Sequence, residues 1–178
     1  HDLLGTRGKG LYANEIYAIK GLYGKYVLCV DNFVVEHRNK VYGPPRFRCT
    51  TDEEYRKQVE EFKRRAQDTK KRREQYAELL EFAVKKMPYK QFVFRPHPIS
   101  DYRWWNERFW RHRNFHICTI KNVEPWLNSC ESMISMGCTT GIQASISMKP
   151  VIEIVDRDKH ESMRSLRGML SKFAKYKA

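Results

Sequence analysis

Residues 132–144 read SMISMGCTTGIQA, a short apolar run that leads through a glycine-bounded loop into the start of a helix. An apolar run of this length suits a strand that is buried on both faces of a parallel sheet. Glycines and threonines directly after such a strand suit the turn into the next helix. The stretch therefore predicts a strand–turn–helix unit, from which α/β sheets are built.

Similar apolar runs recur along the chain, with helical segments between them. They cover residues 26–30, 91–94, 115–118 and 151–155. Strands that alternate with helices indicate βαβ units and a doubly wound α/β fold. We therefore predict a Rossmann-like parallel sheet flanked by helices, in which ligands bind at the carboxyl ends of the strands.

A long basic helix is predicted over residues 52–87, and Pro88 ends it. Its apolar stripe consists of Tyr55, Val59, Phe62, Ala66, Thr69, Tyr76, Leu80, Ala83 and Met87. Residues 63–73 within it are dense in cations. This charged face is either solvated or contacts a partner or lipid headgroups.

Composition predicts one cytoplasmic domain over residues 1–178 with an anionic partner. The chain is 41% hydrophobic, and no apolar run approaches the roughly 20 residues that span a bilayer. Its five irregularly spaced cysteines suggest reduced thiols. The net charge of +13 fits nucleic acid, an anionic membrane surface or a phosphorylated small molecule. Because the histidines are scattered and no CxxC pair occurs, we expect no metal and no cofactor.

The first candidate site is the stretch Arg95-Pro96-His97-Pro98, directly after a predicted strand. The prolines hold the turn extended, which presents Arg95 and His97 at the carboxyl end of the strand. Arginine suits fork-like bonds to phosphate, and histidine can donate a hydrogen bond to a phosphoryl oxygen. The alternative is a rigid turn with a hydrogen-bonded histidine.

The second candidate is the glycine- and threonine-rich start of the helix at residues 137–144. Free backbone N–H groups, the positive end of the helix dipole and two threonine hydroxyls form a natural anion site. An N-cap by Thr139 or Thr140 is compatible with phosphate binding at the same place, and we expect both. Trp126, on a short helix before the fourth strand, could stack on a base or sugar, although core packing is the commoner role. An aromatic cluster at residues 102–110, mixed with arginines, superficially suits single-stranded nucleic acid.

Taken in order, several of these segments resemble the surface carbohydrate biosynthesis proteins. That family is related to GT-B glycosyltransferases that use CMP-activated sugars and to CDP-glycerol glycerophosphotransferases. The resemblance is carried, in order, by Asp2-Leu3-Leu4, Tyr23-Gly24-Lys25-Tyr26-Val27-Leu28, Asp31-Asn32-Phe33, Arg95-Pro96-His97-Pro98, Pro125-Trp126-Leu127, Cys138-Thr139-Thr140-Gly141-Ile142-Gln143-Ala144 and Lys149-Pro150-Val151-Ile152.

The resemblance implies the C-terminal half of a GT-B fold, which binds a nucleotide-sugar donor of the CMP or CDP type. The implied nucleotide- and phosphate-binding residues are Arg95, His97, Pro98, Cys138, Thr139, Thr140, Gly141 and Gln143, with Asn32 and Trp126 as further donor contacts. The implied activity belongs to surface polysaccharide or glycolipid synthesis, with a glycan or lipid acceptor and a place at the inner membrane face. The resemblance further implies an N-terminal domain that generally supplies the acceptor site and the base, and we expect that domain to be missing here, so no catalytic residue is assigned.

Two other functions are compatible with the sequence. Family members usually carry an acidic residue where this chain has Gln143, so a catalytically degenerate glycosyltransferase domain is one alternative. A basic α/β module that binds nucleic acid is the other, and its affinity would fall steeply with salt.

Overall fold

The computed structural model describes residues 10–33, 49–98, 100–119 and 122–154. Its helices are α1 (Ala13–Tyr23), α2 (Asp52–Lys86), α3 (Tyr102–Phe109), α4 (Glu124–Ser129) and α5 (Thr139–Ile146). Its strands are β1 (Tyr26–Val30), β2 (Gln91–Arg95), β3 (Phe115–Ile117), β4 (Ser132–Ser135) and β5 (Val151–Glu153). Each predicted apolar run forms a strand, and residue 155 of the last run lies outside the described residues.

The strands form one parallel sheet in the order β3-β2-β1-β4-β5. The chain builds the sheet outward from β1 to β3 and then returns to place β4 on the other side of β1. Parallel neighbours require crossover connections, and these carry helices to both faces of the sheet. The predicted Rossmann-like α/β fold is confirmed.

Strand β1 lies at the centre of the sheet, and all of its residues are buried. Val27 and Cys29 face a core that α2 and α3 complete with Tyr76, Leu80 and Trp105. The other β1 residues face a second core, to which α1, α4 and α5 contribute Ile19, Trp126, Leu127 and Ala144. Because successive strand residues point to opposite faces, this single apolar run supplies both cores.

Helix α2 confirms the predicted long basic helix. The hydroxyl oxygen of Thr51 accepts a hydrogen bond from the Glu54 N–H at 3.2 Å, which caps its first turn. Its buried residues begin at Ala66, so the earlier turns extend past the core, and Tyr55 of the predicted stripe is 41% exposed. Among the described residues, no helix combines the length and the apolar character needed to cross a bilayer.

The two-faced core gives a prediction for Leu28, which is fully buried in β1. We expect Leu28→Ala to lower the free energy of unfolding by about 2–5 kcal/mol, because it leaves a cavity under the second core. Leu79→Ala is the control, since Leu79 on α2 is 43% exposed. Its truncation should change the free energy of unfolding by about 0.5 kcal/mol, as surface substitutions ordinarily do. Urea unfolding monitored by circular dichroism measures both, and equal losses would contradict the central position of β1.

Candidate functional site

A cavity of about 250 Å³ lies at the carboxyl ends of β1, β2 and β4. Its lining residues are Val30, Asp31, Asn32, Arg95, His97, Gly137, Cys138, Thr139 and Thr140. Strand β1 lies between β2 and β4, and the order of strands along the chain reverses at this position. In open α/β sheets, this reversal leaves a crevice in which ligands bind.

The cavity brings together six of the residues predicted from the sequence, which are Asn32, Arg95, His97, Cys138, Thr139 and Thr140. Pro98, Gly141, Gln143 and Trp126 are not among its lining residues. Pro98 is exposed beside His97, and Gln143 is half-buried within α5. Gly141 is buried, and a Cβ added there would lie 3.4 Å from the Ser135 hydroxyl, so this glycine serves the packing of α5 on β4.

Trp126 lies in the core rather than at the cavity. It is 2% exposed, and its carbonyl oxygen accepts a hydrogen bond from the Tyr26 hydroxyl at 2.7 Å. Tyr26 is the first residue of β1, whereas the cavity lies at the opposite end of that strand. The packing role of Trp126 is therefore the one that the structure supports.

The segment after β2 presents Arg95 and His97 to the cavity. Arg95 is the last residue of β2 and is paired in register with Val30 of β1. Burial lowers the pKa of the Arg95 guanidinium from its ordinary value, which still leaves it a cation near neutral pH. Partial burial and the Arg95 charge also lower the pKa of His97, so the imidazole is neutral at pH 7 and can donate one hydrogen bond.

The start of α5 forms the opposite wall of the cavity. Gly137 turns the chain with a φ of 69°, in the left-handed region that glycine occupies without strain. The N-cap residue is Cys138, and no side-chain hydrogen bond caps this helix within the part of the chain that the structure describes. The expected cap by Thr139 or Thr140 was therefore wrong, because both threonines already lie inside the helix. The first-turn N–H groups of α5 and its dipole are thus directed at the cavity end.

Asp31 also lines the cavity, although the sequence pointed to it only as part of the family resemblance and not as a binding residue. It directly follows β1 and is 5% exposed. Its Oδ1 accepts hydrogen bonds from the His97 N–H at 2.5 Å and from the Ser100 hydroxyl at 3.2 Å. Its Oδ2 is buried and has no hydrogen-bond partner among the described residues. The feature of the sequence that could have pointed to Asp31 is its position as a carboxylate directly after a wholly apolar strand.

The Asp31 carboxyl titrates near neutrality. Burial raises its pKa to about 7, against the opposing effects of the hydrogen bonds from His97 and Ser100, of the nearby Trp105 indole and of the Arg73 charge. A buried carboxylate loses the stabilisation that water gives its charge, and the hydrogen bonds and the cation around Asp31 replace only part of that stabilisation. Asp31 therefore changes its charge within the physiological range.

The aromatic cluster at residues 102–110 mainly serves packing. Trp105 and Phe109 are buried. Trp104 carries the guanidinium carbons of Arg73 and Arg108 at 4.0 and 5.5 Å from its ring centre. Arg108 also contacts Glu74 at 3.0 Å. Trp104, Trp105 and Phe109 thus take part in packing, whereas Tyr102 and Trp110 of the same cluster are 47% and 68% exposed.

No protein-family model, curated protein or solved structure matches this chain. The functional assignment therefore depends on the fold and on the residues of the cavity. Within the described ranges, no group of three or more histidine, cysteine, aspartate or glutamate side chains is arranged to hold a metal ion.

The raised pKa of Asp31 gives a prediction for stability. A carboxyl whose pKa is raised by folding stabilises the folded state at low pH, and this contribution is lost as pH rises toward about 7. We expect the stability of Asp31→Asn relative to wild type to improve by about 2 kcal/mol between pH 5 and pH 8.5.

Urea unfolding of the wild type and of Asp31→Asn at both pH values measures this change in relative stability. The buried asparagine amide costs the variant the same unfolding free energy at either pH, so this cost cancels when the two pH values are compared. Asp52→Asn, a change at an exposed residue at the start of α2, controls for the general loss of a carboxylate. An Asp31→Asn effect that is the same at both pH values would show that Asp31 has an ordinary pKa.

Proposed function

We propose that this chain is the nucleotide-sugar-binding half of a GT-B-type glycosyltransferase of surface polysaccharide or glycolipid synthesis. In this proposal the donor is a CMP- or CDP-linked sugar, and its phosphate binds in the cavity. The observation that carries the proposal is the convergence of Arg95, His97 and the start of α5 on one cavity at the reversal of strand order.

The groups around the cavity match the chemistry of a phosphate. Arg95 can form two parallel hydrogen bonds to phosphoryl oxygens, and the neutral imidazole of His97 can add a third. From the opposite wall, the N–H groups of α5 and the hydroxyls of Thr139 and Thr140 supply further donors. Donors on both walls favour an anion over a neutral ligand.

The size of the cavity suggests which part of the donor it holds. Its volume of about 250 Å³ is below the roughly 300–1,000 Å³ of pockets that enclose a whole ligand. We therefore expect the phosphate and the group next to it to be enclosed, while the remainder extends outward. An acceptor bound by another domain would approach from that open side.

In glycosyl transfer, negative charge grows on the phosphate of the departing nucleotide. Arg95 and the first turn of α5 carry positive charge that is already in place before the bond breaks. The proposed contribution of this chain to catalysis is the stabilisation of that leaving group. The general base is not assigned to any residue of the cavity.

Calorimetric titration with CMP, CDP and UMP tests the donor site in the wild type, His97→Ala and Arg95→Ala. We expect a cytidine nucleotide to bind, and its affinity to fall about tenfold or more in each variant, since each loses a hydrogen bond to a charged group. Arg113→Ala is the matched control, because Arg113 is exposed and precedes the amino end of β3, away from the cavity.

Two results would overturn the proposal. The first is a folded wild-type protein that binds none of the three nucleotides. The second is an equal loss of affinity in Arg113→Ala, which would mean that the overall charge of the chain, rather than the cavity, attracts the nucleotide.

A further inference from the structure

Asp31 places a carboxyl group in a cavity whose other groups, Arg95, His97 and the start of α5, favour an anion. The residue lines the cavity, is 5% exposed, and has one oxygen occupied by the His97 N–H and the Ser100 hydroxyl. Its other oxygen, Oδ2, is excluded from solvent and has no hydrogen-bond partner among the described residues. A buried polar atom of this kind needs an explanation, since an ionised carboxylate is stabilised only when its oxygens are paired.

The groups that act on the Asp31 carboxyl come from several elements, and α3 contributes the Trp105 indole, which favours the ionised form. Helix α2 contributes the Arg73 charge and the Tyr76 phenol, whose pKa is raised by burial and, to a smaller extent, by Asp31. Strand β2 and the segment after it contribute Arg95 and the neutral imidazole of His97. The start of α5 contributes the Cys138 thiol, which lines the cavity.

An anion in the cavity and an ionised Asp31 would lie close together in a medium of low dielectric constant. Their repulsion is much stronger there than in water, because little solvent remains to screen it. A proton on the carboxyl removes the repulsion and also neutralises the unpartnered Oδ2. The bound anion therefore raises the affinity of Asp31 for a proton, and protonated Asp31 raises the affinity for the anion to the same degree.

We infer that the cavity binds an anionic phosphoryl or sulfuryl group together with one proton, which is taken from solvent and held on the Asp31 carboxyl. This inference deepens the proposed function and depends on it only for the identity of the ligand. Below neutral pH the proton is already present, so binding requires no uptake. Above neutral pH the binding of an anion is accompanied by the uptake of up to one proton, and release of the anion returns that proton to solvent.

The same carboxyl has a structural role that is independent of its charge. Oδ1 accepts hydrogen bonds from the backbone of His97 and from Ser100 whether or not Oδ2 carries a proton. An asparagine can accept the same two hydrogen bonds through its carbonyl oxygen, whereas an alanine cannot. Asp31→Asn thus removes the titration and keeps the anchor of the His97 segment, and Asp31→Ala removes both.

The test uses two anions that do not titrate between pH 6 and pH 9, the methyl phosphodiester of CMP and inorganic sulfate. Calorimetry in buffers of different ionisation enthalpy counts the protons taken up when the diester binds. For sulfate, the pH midpoint of the Asp31 carboxyl signal is followed by carbon NMR with and without the anion. The NMR measurement needs no variant and stays informative if a variant folds poorly.

We expect the wild type to take up a large fraction of one proton at about pH 8, and its affinity for the diester to fall roughly tenfold between pH 6 and pH 8.5. In Asp31→Asn the uptake and the pH dependence should disappear, and binding at pH 8.5 should exceed that of the wild type. Asp31→Ala should bind weakly at every pH. His97→Gln, which removes the imidazole, should bind more weakly and keep the proton uptake.

The outcomes separate this inference from the proposed function. If sulfate raises the midpoint of Asp31 while the CMP diester fails to bind, the inference stands and the nucleotide proposal falls. If the diester binds without proton uptake, or Asp31→Asn keeps the uptake, the inference is overturned and the nucleotide proposal stands. If neither anion binds to the folded protein, both are overturned.

Discussion

The burial of β1 on both faces is the constraint on which the rest of this structure depends. A strand whose five residues are all buried requires neighbours on both edges and a helical layer on both faces. Helices α2 and α3 cover one face, and α1, α4 and α5 cover the other. The chain must therefore return across the sheet after β3, and this return creates the crevice between the ends of β1, β2 and β4.

The cavity combines two opposing requirements in a small volume. Arg95 and the start of α5 favour an anion, while the segment that carries His97 is held by a carboxylate through its backbone N–H. That partly buried N–H needs an acceptor, and Asp31 supplies it. The cost is a carboxyl with an unpartnered oxygen and a pKa raised to about 7. Functional sites often retain such locally destabilising groups.

The positive charge of the chain has more than one use. Arg73 and Arg108 pack against the Trp104 ring, and Arg108 contacts Glu74 and Glu81, so these cations help to attach α3 to α2. Arg95, in contrast, lines the cavity. The net charge of +13 therefore describes the field around the molecule and says little about where an anion binds.

The sequence by itself determined the strands, the long basic helix and the Rossmann-like class, because these follow from local periodicity and from the residues that end each element. It also located Arg95, His97, Thr139 and Thr140, since residues directly after parallel strands meet at one edge of the sheet.

Only the tertiary structure decided that Trp126, Gly141 and Gln143 do not line the cavity and that Asp31 does. Asp31 and His97 are 66 positions apart, and their hydrogen bond exists only because β1 and β2 pair in register. Burial and contact between distant residues arise from the packing of whole elements, which local sequence patterns do not encode.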